Sequence, residues 1–115
     1  MTTAYTKFYI NGAWVEPKAD TTLEVINPAT EEPCAVISMG NADDVDAAAQ
    51  AARAAFPAWS QSSVEERMAV IQKIMAGMKE RAGDLASAIS AEMGAPMSLA
   101  TAAQVPSGMG HFAAV

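Results

Sequence analysis

At Asn41 the chain changes periodicity. Before that point apolar residues come in short runs broken by turn formers, and after it they recur every three or four positions. Strand side chains alternate with a period of two and helix side chains with a period of about 3.6, so the two halves cannot form the same kind of element. Residues 1–40 are therefore expected to hold strands and turns, and residues 41–115 three to four helices. Strands first and helices after is the order of an α+β segment.

Within the first part, Lys7 to Ile10 and Ala13 to Val15 are rich in aromatic and β-branched residues and flank Asn11-Gly12. That pair tolerates positive φ at both central positions of a type I′ turn, which predicts a hairpin. Two further strands are expected in "LEVI" from Leu23 and "CAVISM" from Cys34, with "NPATEEP" between them irregular because it holds two prolines. The first three strands should form one small antiparallel unit. Such a unit is marginal in water until another element covers its apolar face.

In the second part Asn41 is a good N-cap, followed by Asp43, Asp44 and Asp46 where the helix dipole favours negative charge. Val45, Ala48, Ala52 and Phe56 share a face, and Pro57 is expected to end the helix. A second helix opens at Ser63, whose partner three residues on, Glu66, completes a capping box. Its apolar stripe is Val64, Met68, Ile71, Met75 and Met78, with a break expected at Gly83. A third run carries Leu85, Ala88, Ile89 and Glu92 until Gly94 and Pro96 stop it. Ser98 would cap a last helix that Pro106, Gly108 and Gly110 kink or weaken.

Composition limits how much these elements can bury. Of the 51% hydrophobic residues 26 are alanine, and aromatics amount to 6%. At about 25 cal/mol per Å² of apolar surface, small side chains yield a thin core. The eight methionines, five of them between Met68 and Met97, supply adaptable packing volume that suits a surface meeting another element.

Charge and hydropathy remove whole classes of function. Seven basic against thirteen acidic residues give a net charge of −6, with no cluster of Lys or Arg to track phosphates, so a nucleic-acid partner is not expected. Apolar runs fall short of the roughly 18 residues a membrane span needs, and the N-terminus lacks a signal-type apolar core. The expectation is a cytoplasmic protein with no membrane partner. One cysteine, Cys34, excludes an internal disulfide framework.

No catalytic constellation emerges from the residues themselves. Cys34 sits in an extended apolar run with no Lys, Arg or His nearby to lower its pKa, and reads as a structural thiol rather than a nucleophile. His111, the single histidine, cannot head a metal cluster. "GMGHFA" at 108–113 fits the loose dinucleotide fingerprint but has a proline where a strand should precede it. The "DDVD" carboxylates are accounted for by the helix dipole.

The succession "FYINGAWV", "VINPATEEP", "NADDVDAAAQAARAAFPAWS", "ERMAVIQKIMAGMKERAGDLASAISAEMGAP" and "AAQVPSGMGHFAAV" closely resembles the amino-terminal quarter of the NAD(P)-dependent aldehyde dehydrogenase superfamily. The resemblance covers essentially all of 1–115 and implies the first portion of a cofactor-binding domain in a larger α/β enzyme. That enzyme would have a doubly wound cofactor domain, a catalytic domain and a β arm for assembly into homodimers or homotetramers. It implies NAD or NADP as oxidant and a small-molecule aldehyde as substrate. In the family a cysteine thiolate attacks the aldehyde, hydride passes to the nicotinamide, and a glutamate-activated water hydrolyses the thioester. The nucleophile, the base and the pyrophosphate turn lie downstream in family members, so neither catalytic nor cofactor-binding residues are expected within this segment, and Cys34 does not take the nucleophile's place.

Two sets of positions carry over. The final helix lies along the family's substrate route, which makes Gln104, Ser107, Gly108 and His111 candidate channel-lining residues. Many members also hold Na⁺ or K⁺ on backbone carbonyls before the Asn-Pro and near an acidic helix end, matching Val25, Ile26 and Glu92. The expectation is a piece of a longer dehydrogenase whose partner is the remainder of the same polypeptide, inactive by itself. The alternative is a short noncatalytic module that uses the Met/Ile stripe as an interaction surface.

Overall fold

The computed structural model describes residues 3–115, so the first two positions of the strand-bearing part lie outside the described residues. It consists of two compact units. One is formed by residues up to 26 together with 32–62, the other by 27–31 together with 63–115.

In the first unit the expected hairpin is present. Strands β2 (Phe8–Ile10) and β3 (Ala13–Val15) pair antiparallel with Tyr9 opposite Trp14. Asn11 and Gly12 take φ of 53° and 77°, the double positive φ that a type I′ turn demands. Alternation puts Phe8, Ile10 and Val15 on the half-buried face. Tyr9 and Trp14 stand on the other, edge to face with ring centroids 5.2 Å apart.

The remaining strands correct the single antiparallel unit. A strand not anticipated from the sequence, β1 (Thr3–Tyr5), joins β4 (Thr22–Asn27) and β5 (Glu32–Ser38) in a separate sheet of order β1-β5-β4. β1 runs parallel to β5, with Ala4 opposite Val36. Three residues carry no readable period, so only the long-range partner makes β1 a strand. The irregular "NPATEEP" stretch is also shorter than expected. Ala29 N–H donates to Asn27 Oδ1 at 2.9 Å, and Glu31 N–H to Asn27 O at 2.8 Å. With Glu31 at φ 59° the turn closes early, and β5 starts at Glu32 and runs through Pro33.

Helix α1 (Ala42–Ser60) continues through Pro57 rather than ending there. A proline three residues from a helix end removes one ladder bond, and the last turn closes with short i to i+3 bonds, Gln61 N–H to Ala58 O and Ser62 N–H to Trp59 O. The packed side also differs from expectation: Asp44, Ala47 and Ala51 turn inward, while Val45 and Phe56 are 65% and 64% exposed. An alanine-rich helix presents nearly equal faces, so its orientation is set by the carboxylate anchor described below.

In the second unit α2 (Val64–Glu80) begins with the expected capping box, Ser63 N–H donating to Glu66 Oε2 at 2.7 Å and Glu66 N–H to Ser63 Oγ at 3.1 Å. The break after it falls at Arg81 (φ −101°, ψ 17°), and Gly83 lies inside the next helix, α3 (Ala82–Met93). Gly94 closes α3 in the left-handed region. Pro96 rather than Ser98 precedes the last helical run, Leu99 and Ala100 N–H both donating to Pro96 O. The core here is small, as the composition required: Ala86, Ala100 and Val105 are buried, with Ala82, Ile89 and Met109 against them.

Candidate functional site

The run from Met97 to Ala113 is one continuous helical path with a wide turn inside it: α4 (Met97–Leu99), a π-helical turn over Ala100–Gln104, and α5 (Val105–Ala113). Val105 N–H reaches back five residues to Ala100 O. Pro106 follows this turn near the start of α5 and, having no N–H, donates to no carbonyl in the preceding turn. Such π turns are frequent at functional sites.

All four channel candidates lie along this path. Gln104 ends the π turn, and its side-chain Oε1 is enclosed with no hydrogen-bond partner. Leaving an enclosed acceptor unpaired costs about 1–3 kcal/mol, which marks Gln104 as a position that core packing alone does not explain. Gly108, half-buried one turn on, gives close access to α2: a Cβ there would sit 3.8 Å from Met78 Cε. Ser107 and His111 are exposed, and His111 lines a shallow apolar depression with Ile71, Phe112 and Val115. Positions 104, 107, 108 and 111 share one side of a helix by spacing, next to the packed row Val105, Met109 and Phe112.

The cation candidates belong to different units. Val25 and Ile26 are adjacent on β4, half-buried and 45% exposed respectively, and Val25 O accepts the Cys34 thiol at 3.3 Å. Glu92 is an exposed residue in the last turn of α3, at the negative end of the helix dipole. Among the described residues no three His, Cys, Asp or Glu side chains converge on a metal position.

Asp44 has a role that dipole reasoning missed. It is buried, and its carboxylate accepts Lys18 N–H at 2.9 Å through Oδ1 and Asn41 N–H at 3.1 Å through Oδ2, while Asp44 N–H donates to Asn41 Oδ1 at 3.0 Å. This capping box also fastens the β3–β4 connection to α1. The backbone N–H of Lys18, and after it that of Asn41, hold the carboxyl below the usual aspartate range. The sequence signal was the Asn41-x-x-Asp44 spacing. Cys34, half-buried on β5 with its thiol engaged by Val25, fits the structural reading.

The "GMGHFA" run lies within a helix. Gly108 and Gly110 are interior to α5, so their N–H groups point along a helix rather than into a strand-to-helix turn.

Comparison with known proteins then places the chain. The aldehyde dehydrogenase family model matches residues 14–115. A 3-succinoylsemialdehyde-pyridine dehydrogenase from a Pseudomonas species is 44% identical over 109 residues, covering 94% of this chain and 23% of that protein. The crystal structure of an aldehyde dehydrogenase from Bartonella henselae superposes with a TM-score of 0.94 at 44% identity, over 96% of this chain and 23% of that one. Aldehyde dehydrogenase C from Pseudomonas syringae, solved as a mutant with NAD⁺ and octanal, gives 0.91 at 50% identity, over 93% and 22%. The chain thus spans about 23% of the length of the relatives it matches.

Proposed function

Because the chain belongs to the aldehyde dehydrogenase family, we propose that it is the amino-terminal portion of an oxidoreductase that converts an aldehyde to a carboxylic acid with NAD⁺ or NADP⁺ as oxidant. The observation that carries this reading is the family match over residues 14–115 together with a TM-score of 0.94 over 23% of a solved member. Two neighbours solved with NAD⁺, from Pseudomonas syringae and Mycobacterium tuberculosis, support NAD as the cofactor of the whole enzyme.

On this reading the cysteine nucleophile, the glutamate base and the cofactor's phosphate-binding turn are supplied by the remainder of the polypeptide. Residues 1–115 form the first, incomplete portion of the cofactor-binding domain. Gln104, Ser107, Gly108 and His111 face the aldehyde's approach and set which side chains pass. Val25, Ile26 and Glu92 are the positions of this chain that would contribute oxygens to a monovalent cation in the whole enzyme. Assembly as a homodimer or homotetramer and a cytoplasmic location belong to the same proposal, the latter supported by the single thiol and the acidic charge. The exposed upper half of the methionine stripe, Val64 at 67% and Met68 at 40%, is a surface for the rest of the polypeptide; a separate interaction module would use it too.

The test compares two purified proteins of verified mass: the product of the reading frame continued past Val115, and residues 1–115 alone. The first is expected to oxidise aldehydes with NAD⁺ or NADP⁺, and the second to show neither turnover nor NAD⁺ binding. Turnover by the 115-residue chain that disappears in Cys34→Ser would overturn the assignment of chemistry to the missing part.

A further inference from the structure

The chain has three asparagines, and their surroundings give them very different chemistry. Deamidation of asparagine proceeds by attack of the next residue's backbone nitrogen on the side-chain carbonyl. It therefore needs a following residue with an N–H and little steric bulk, and a side-chain amide not held elsewhere. Asn27 is followed by Pro28, which has no N–H, and its Oδ1 already accepts Ala29 N–H. Asn41 is an N-cap whose Oδ1 accepts Asp44 N–H at 3.0 Å, inside a doubly bonded box. Asn11 is exposed, and it is followed by Gly12, also exposed, around which nothing lies within 4 Å of a Cβ position.

We propose that Asn11 is a site of spontaneous deamidation, with the opening of the β2–β3 turn controlling its rate. In the reaction Gly12 N forms a bond to Asn11 Cγ and gives up its proton to solvent base. The Cγ–Nδ2 bond breaks and the nitrogen leaves as ammonia. Water then opens the five-membered imide at one of its two carbonyls, giving aspartate or isoaspartate, so the net change is an amide plus water to a carboxylic acid plus ammonia. In the folded turn Asn11 is held at φ 53°, and attack requires its backbone to rotate out of that turn. The ribbon that holds it has three residue pairs, Phe8–Val15, Tyr9–Trp14 and Ile10–Ala13, and a ribbon of this size frays readily.

The two products part structurally. Aspartate before Gly12 suits the same type I′ turn and leaves the hairpin closed. Isoaspartate adds a methylene to the main chain of a two-residue loop, so Ile10 and Ala13 no longer close the ladder and the Tyr9–Trp14 contact is lost. The modification also adds one negative charge to a chain already at −6.

The experiment ages the full-length protein in mildly alkaline buffer and maps it by tryptic mass spectrometry, with isoaspartate read by an isoaspartyl-specific carboxyl methyltransferase. Peptide 8–18 carries Asn11 and peptide 19–53 carries the other two, which fragmentation separates. The expected result is a gain of about one dalton that, among these three asparagines, is confined to Asn11, several-fold slower in native protein than in urea, and absent in Asn11→Gly, which keeps the turn. A gain appearing first at Asn27 or Asn41, equal rates at Asn11 in native and unfolded protein, or an unmodified Asn11 in native protein while the unfolded chain reacts there would each overturn the proposal.

Discussion

Gly94→Ala offers the sharpest test of how α3 is closed. Gly94 has φ 71° and ψ 15°, and its N–H donates to Ser90 O at 3.0 Å. A Cβ there would lie 2.8 Å from Pro28 Cγ and 3.6 Å from Pro28 Cβ. Two costs are separable. Placing an L-residue in the left-handed region costs about 1–2 kcal/mol. Forcing a methyl against a ring carbon well inside the optimal separation of about 3.5–4.0 Å adds about 1–3 kcal/mol, because a proline ring can yield only by changing pucker. Alanine's lower unfolded-state entropy returns about 0.4–1 kcal/mol, so the net loss is about 1–5 kcal/mol. With a urea m-value of about 2 kcal/mol/M, the unfolding midpoint followed by far-UV circular dichroism should fall by about 0.5–2.5 M. In a Pro28→Ala background only the left-handed cost remains, so the penalty should drop by roughly 1 kcal/mol or more. Gly94→Asn, which tolerates positive φ, should lose mainly the steric part. Tryptophan fluorescence reports the other unit through Trp14 and Trp59. Equal penalties in both Pro28 backgrounds would refute the overlap argument, and an unchanged midpoint for Gly94→Ala would refute both parts.

The Asp44 carboxylate is held below the usual range, so its contribution is fully present above the unfolded aspartate pKa of about 3.9 and is lost as pH falls through the lower folded value. Asp44→Asn should therefore flatten the acid limb of the stability curve read by Trp14 and Trp59 fluorescence; a limb as steep as wild type would refute the clamp. In the full-length enzyme, Ser107→Trp or Gly108→Leu should change kcat/KM by about 10–200-fold for large aldehydes relative to small ones, with the KM for the cofactor unchanged. Equal losses across aldehyde sizes would remove the channel role. Thermal stability of the full-length protein should be higher in K⁺ or Na⁺ than in a bulky organic cation at equal ionic strength, and Glu92→Gln should abolish that difference. Identical melting in every salt for both proteins would dismiss the cation site.

Much of this architecture was legible in the sequence because it rests on local chemistry. Asn11-Gly12 determines its own turn, since few other pairs accept two positive φ values. Ser63 and Glu66 satisfy one another's backbone groups within a single turn, and Gly94 marks the end of α3 through the same conformational freedom. The thin core follows from alanine's small side chain wherever the helices come to lie. Five ordered segments also carried the family resemblance, because they preserve the identity of residues and the intervals between them. What only the tertiary structure decided depends on partners distant in the chain. β1 is a strand because β5 offers it a parallel edge some thirty residues away. α1 turns Asp44, with the half-buried Ala47 and Ala51, inward instead of its more apolar stripe because the Lys18 N–H and the cap converge on one carboxylate. Pro57 is carried inside a helix where local propensity alone predicts a stop, and Pro106 stands near the start of α5 just after a π turn. The enclosed, unpaired Gln104 Oε1 has no sequence signature at all. Short-range rules fix which backbone states are affordable to each residue, and long-range packing selects among those states once the chain has closed on itself.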